Sequence, residues 1–250
     1  MGASVVFCLP HAGGGQHQYL SWSRAMADVL TWVPIEYPGR FTRDDEPPWE
    51  TFPEAVTDVV SYVEDRGRGH RVGLFGHSLG GALAFEAARR LSERGQVPLD
   101  SVMVSGCEPP SAAGTIHQRY FELDDEQLLA HLQHLGGPAA REPLASRMLT
   151  ETLPLIRSDY RLHHSYTPDP DCRIGVPLTV CIGRDDPLHT DRIQAWHSHS
   201  SVSVRFHRFD GGHFYWQADA GPLTKLIREV FAPDSKTATR DETKGSACRD

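Results

Sequence analysis

The stretch from Arg71 to Gly81 constrains the fold of this chain more than any other. An apolar run, Arg71–Phe75, leads into Gly76-His77-Ser78-Leu79-Gly80-Gly81, and the helical pattern Ala82–Arg94 follows. A serine set between glycines, reached from a strand and left into a helix, makes a sharp turn that strains the serine backbone and exposes its hydroxyl. Gly76 and Gly80 are expected because side chains there would collide across the bend. A turn of this kind belongs at the carboxyl end of a sheet strand, with helices covering the sheet faces.

The remaining sequence supplies such a sheet. Short β-branched runs at Val5–Leu9, Trp32–Glu36, Ser101–Ser105, Leu178–Ile182 and Val202–Phe206 read as strands. Helical patterns at Pro53–Glu64, Ala82–Arg94 and Pro222–Phe231 alternate with several of them, which predicts an α/β chain with a mainly parallel central sheet flanked by helices. The interval from about Thr115 to Tyr166 breaks the alternation with two helical segments, Asp125–Leu135 and Leu144–Ser158, and reads as an inserted lid. One domain over residues 1–232 is expected, followed by a polar tail at 233–250 too poor in apolar groups to order itself.

Composition narrows the class of partner. A formal charge of −8 argues against general nucleic-acid binding, and no stretch approaches the roughly 18 apolar residues of a membrane span. Five cysteines without a C-x-x-C pair suggest neither a disulfide framework nor a zinc ribbon, and the N-terminus lacks a secretory pattern, so a cytoplasmic protein is expected.

Serine is a weak nucleophile near neutral pH, so Ser78 requires a histidine to accept its proton and an acid to orient that histidine. Of the 14 histidines, His213 is best placed, in the loop Gly211-Gly212-His213-Phe214 after the last strand. His77 lies inside the turn and reads as a local packing or hydrogen-bonding group, while His163 and His164 read as surface residues of the lid. The acid is expected after Leu178–Ile182, where Asp185 and Asp186 compete; Asp186 is preferred, Asp185 reads as a turn residue, and Asp210 ranks third. Two backbone amides should receive the developing oxyanion: that of Leu79, at the positive end of the following helix, and that of Ala12, in the loop Pro10–Gly15 after the first strand. That glycine-rich loop has neither a phosphate-loop nor a dinucleotide pattern.

Together, Pro10-His11-Ala12-Gly13-Gly14, Tyr37-Pro38-Gly39-Arg40 with Glu46-Pro47-Pro48, Ala84-Phe85-Glu86 after the serine turn, Leu153–Tyr160 and Gly211-Gly212-His213-Phe214 resemble the type II thioesterases, stand-alone editing enzymes of polyketide and nonribosomal peptide assembly lines with the α/β-hydrolase fold. The resemblance covers roughly residues 4 to 231; a departure is Leu79-Gly80 after the serine, where many members carry Met and Ala. It implies hydrolysis of acyl groups from the phosphopantetheine arm of acyl or peptidyl carrier proteins through a serine acyl-enzyme, by a monomer needing no cofactor or metal. On this resemblance Ser78, Asp186 and His213 form the triad and the Ala12 and Leu79 amides the oxyanion hole. The lid would shape the acyl pocket, and Arg40, Arg43 and Arg157 could form a basic rim for an acidic carrier. A small-molecule carboxylesterase or lipase, and a non-catalytic carrier-binding module, are the alternatives.

Overall fold

The computed structural model describes residues 4–115, 119–136, 143–187 and 191–232. Six strands form one sheet among these residues: β1 (Ser4–Leu9), β2 (Leu30–Pro34), β3 (Arg71–His77), β4 (Leu99–Ser105), β5 (Leu178–Gly183) and β6 (Val204–Phe209). Their order is β2-β1-β3-β4-β5-β6, and every pairing is parallel. Chain direction across the sheet reverses at β1, which pairs with β2 on one side and β3 on the other. In an open parallel sheet, loops leaving the carboxyl ends at such a reversal part to form a crevice. Here those are the loops after Leu9 and His77.

Two apolar layers cover the sheet, and the two-residue strand period divides the side chains between them. Val5, Phe7 and Leu9 of β1 join one buried cluster with α2 (Phe52–Gly67) and α3 (Leu79–Arg94), while Val6 and Cys8 join the other with α1 (Leu20–Met26) and α6 (Gly221–Phe231). β3 and β4 divide likewise, Leu74 and Val104 facing one way, Phe75 and Met103 the other. Because β3 and β4 are central and covered on both faces, they are apolar without alternation. α2 begins where Thr51 and Glu54 form a reciprocal capping box with proline in its first turn, an arrangement that stabilises a helix start by about 1 kcal/mol.

Two strands lie away from their expected positions, each for a local reason. The second runs Leu30–Pro34 rather than Trp32–Glu36: its register against β1 starts at Leu30, opposite Ser4, and reaches Pro34, opposite Cys8, after which the Ile35 amide donates a last bond to the Cys8 carbonyl at 2.8 Å. The last runs Val204–Phe209 rather than Val202–Phe206: the Ser200 hydroxyl accepts from the Val202 and Ser203 amides and holds the chain in a turn there. α1 was not expected from the sequence. Between β4 and β5 lie α4 (Asp125–His134) and α5 (Pro143–His164). α5 runs beyond the expected end at Ser158, and His163 is half-buried rather than a surface residue, with burial holding its pKa down at about 4. The expected tail at 233–250 lies outside the described residues. No helix among the described residues is long and apolar enough to cross a membrane.

Candidate active site

Ser78 occupies the turn between β3 and α3 with φ 55° and ψ −119°, a region a side-chain-bearing residue adopts only where its surroundings impose it. The surroundings are backbone. A Cβ on Gly76 would stand 1.9 Å from the Gly80 carbonyl oxygen, and one on Gly80 would stand 2.0 Å from the Leu9 carbonyl oxygen, so the bend requires both glycines. The Ser78 amide donates to the Ser105 carbonyl at 2.8 Å, fixing the turn against the end of β4. Leu79, the first residue of α3, has no acceptor for its N–H within its own helix and stands at the positive end of the helix dipole.

β5 and β6 bring the candidate acid and the candidate base together. Beyond their paired ends, the Arg184 amide donates to the Phe209 carbonyl at 2.8 Å and the Asp185 amide to the Gly211 carbonyl at 2.9 Å. The two loops therefore leave the sheet side by side. Asp186 Oδ2 lies 2.9 Å from His213 Nδ1, and both side chains are 1% exposed. Asp185 is exposed, and Asp210 is exposed and paired with Arg184, so neither reaches the imidazole. Of the three candidate acids, Asp186 alone is hydrogen-bonded to His213.

Gly106 joins the serine side of the site to the histidine side. It follows Ser105, takes φ +52°, and a Cβ there would stand 3.0 Å from His213 Cε1 and 2.8 Å from His77 Cε1. Sequence reasoning missed it, although a glycine immediately after a strand that ends at the site is a signal that could have pointed to it. His77 is fully buried, its Nδ1 2.9 Å from the Ser105 hydroxyl, which is itself 2.8 Å from the Tyr215 hydroxyl. Burial and then the nearby His213 charge hold His77 well below the ordinary imidazole range. His11 Nδ1 sits 3.0 Å from the Tyr19 hydroxyl, and the imidazole is held down to about 3 by burial, then by His213 and Arg40.

The loop carrying Ala12 is tied at three points. The Tyr37 hydroxyl donates to the Pro10 carbonyl at 2.9 Å, the Gly13 amide donates to Asp159 Oδ2 at 2.7 Å, and Arg40 Nη1 donates to the Gly14 carbonyl at 2.8 Å. Arg40 also grips Asp159 bidentately, at 2.7 and 3.0 Å. Arg40 is therefore no rim cation, being buried under this loop. Nor are the other two expected rim residues free: Arg43 binds Glu46, Asp58 and the Glu36 carbonyl, and Arg157 binds Asp125 and the Phe121 and Leu123 carbonyls.

Residues 4–232 match the family model described as the thioesterase domain. A probable cadicidin biosynthesis thioesterase of Streptomyces griseus is 35% identical over 231 residues, covering 91% of this chain and 62% of the relative. Thioesterase PikA5 of Streptomyces venezuelae is 34% identical over 237 residues, covering 92% and 83%. The chain thus spans less than two thirds of the first relative's length and most of the second's. The solved structure of the type II thioesterase BorB from the borrelidin biosynthetic cluster superposes with a TM-score of 0.79 at 33% identity, covering 92% of this chain and 91% of that one. With its six-stranded parallel sheet, its strained serine turn and this match over nearly its whole length, the chain belongs to the thioesterase family, with the α/β-hydrolase fold.

Proposed function

We propose that this chain hydrolyses acyl thioesters held on the phosphopantetheine arm of acyl or peptidyl carrier proteins, clearing acyl groups from a polyketide or nonribosomal peptide synthase. The observation that carries the reading is the buried Asp186–His213 pair, 2.9 Å apart, beside the serine turn. The names of the relatives support the substrate class.

His213 takes the Ser78 proton as the hydroxyl oxygen attacks the thioester carbon, and Asp186 holds the imidazole in the tautomer that can do so. Charge moves to the carbonyl oxygen, where the Ala12 and Leu79 amides receive it. The C–S bond breaks, the thiol leaves with the proton returned by His213, and the acyl group remains as an ester on Ser78. Water, deprotonated by His213, then attacks that ester, releasing the acid and restoring the serine. The groups supplied by the chain suffice for every step. The protein acts as a cytoplasmic monomer, with neither membrane nor nucleic acid as partner.

Incubation with an acyl group on a holo carrier protein, followed by mass spectrometry of the acyl-pantetheine, tests the reading. Release that disappears in Ser78→Ala and exceeds cleavage of the matched oxygen ester is expected. Preference for the oxygen ester would make the protein an esterase, and carrier binding without turnover would make it a binding module.

A further inference from the structure

Arg40 and Asp159 come from sequence segments outside the catalytic triad, and both are buried. The Asp159 carboxylate accepts three hydrogen bonds, one from the Gly13 amide and two from Arg40, while the same guanidinium donates to the Gly14 carbonyl. A buried ion pair costs desolvation and is poorly explained by stability alone, because apolar residues of similar volume commonly serve as well. This pair is shaped for the backbone between its members. Gly13 is pressed from the same side: Asp159 and Ile156 are three residues apart on α5, and a Cβ on Gly13 would stand 2.3 Å from Ile156 Cγ1. Arg40 lies beside the Tyr37 ring, 5.1 Å from its centroid, and Tyr37 holds the Pro10 carbonyl. Ala12 thus sits between a bond at Pro10 and bonds at Gly13 and Gly14.

We infer that Asp159, with Arg40, is a positioning pair for the oxyanion hole, so that the Ala12 amide is aimed only while α5 is seated on the loop. The inference rests on the reading of the site as a serine thioesterase. Both side chains are buried beneath the loop rather than open to the site. The pair acts through the direction of one N–H, and a donor in an oxyanion hole contributes only when placed for the oxygen of the tetrahedral intermediate rather than for that of the bound thioester. The segment of α5 that carries Ile156 and Asp159 is accordingly a fixed buttress for the Ala12 loop.

The test uses the intact protein and an acyl carrier substrate. Asp159→Asn keeps the shape and one acceptor for Gly13 while removing the charge that holds Arg40; Arg40→Lys keeps the charge and removes the bridge to Gly14. Each variant is compared with wild type for kcat and KM, for the affinity of a trifluoromethyl ketone analogue that becomes tetrahedral on Ser78, and for the affinity of a non-hydrolysable amide of the same acyl-pantetheine. Expected are a kcat lower by about 10- to 100-fold, short of the loss of a whole oxyanion donor, an analogue weakened in proportion, and a KM and amide affinity within a few-fold of wild type. Unchanged kcat in the folded variants would overturn the inference, as would equal weakening of amide and analogue. If Asp159→Asn does not fold, Arg40→Lys carries the same comparison. Absence of Ser78-dependent turnover in the wild type would instead remove the reading on which the inference stands.

Discussion

The imidazole of His77 lies 4.8 Å, centroid to centroid, from that of His213, and His11 lies 5.9 Å beyond it, so three histidines stand in file ending at the candidate base. Burial keeps His77 well below the ordinary imidazole range and His11 at about 3, and the His213 charge pushes both further down. Two of the three therefore stay neutral while the enzyme works. Neither His77 nor His11 is thus expected to add a proton to the acid limb of kcat/KM above about pH 4, so the slope there does not exceed one. A slope of two over that range, in a full pH–rate profile, would show that a second imidazole in the file titrates.

The same burial sets how folding responds to acid. An imidazole held at about 3 in the folded chain takes its proton first when the chain unfolds. The stability tied to His11 is full above about pH 6.5 and is lost progressively as the pH falls towards 3, at roughly 1.4 kcal/mol per pH unit. His77 acts in the same direction. Urea unfolding from pH 7 to 5 should therefore show falling stability at nearly constant m, and His11→Gln should flatten that dependence. An identical gradient in the variant would mean that His11 does not carry it.

Gly106 has φ +52° and lies against the His213 ring. Gly106→Ala would force a Cβ towards the imidazole in a backbone region that costs a side-chain-bearing residue about 1–3 kcal/mol. Displacing the base by a fraction of its hydrogen-bond length is expected to lower kcat/KM by about 100-fold, more than the loss of folded protein explains. Steady-state kinetics beside a thermal melt checks this; near wild-type turnover in a folded variant would contradict it.

Asp186 and Asp185 are adjacent in sequence, yet the first is buried against His213 and the second is exposed. Asp186→Asn should leave the fold intact and cost about 10⁴-fold in kcat, because the amide favours the wrong imidazole tautomer. Asp185→Asn should stay within a few-fold of wild type. Comparable losses in the two variants would place the acid elsewhere.

Local sequence was enough for those parts of the site that depend on neighbours along the chain. Gly76-His77-Ser78-Leu79-Gly80 specifies its bend between a strand and a helix, since a Cβ on Gly76 would collide within that segment, while Gly80 is needed as well because the end of β1 passes against it. His213 could be named as the candidate base from its glycine-flanked loop after the last strand. Strand ends were less legible: the register against β1 sets β2 at Leu30–Pro34, and the Ser200 hydroxyl shifts the start of β6, through hydrogen bonds that composition does not record. Arg40 was misread for a deeper reason. Its partner is Asp159, 119 residues away, and an arginine in a Pro-Gly turn looks like a surface cation until a distant helix covers it.

What the sequence by itself determined was the parallel α/β architecture, the serine turn and the short set of groups able to activate it, because these follow from periodicity and from a motif of a few adjoining residues. Only the tertiary structure set Asp186, preferred from the sequence, against His213 while leaving Asp185 exposed, brought Gly106 against His213, and joined Arg40 and Asp159 to the Ala12 loop. Those decisions depend on which segments the folded sheet brings side by side and which charges it buries, and spacing along the chain carries neither.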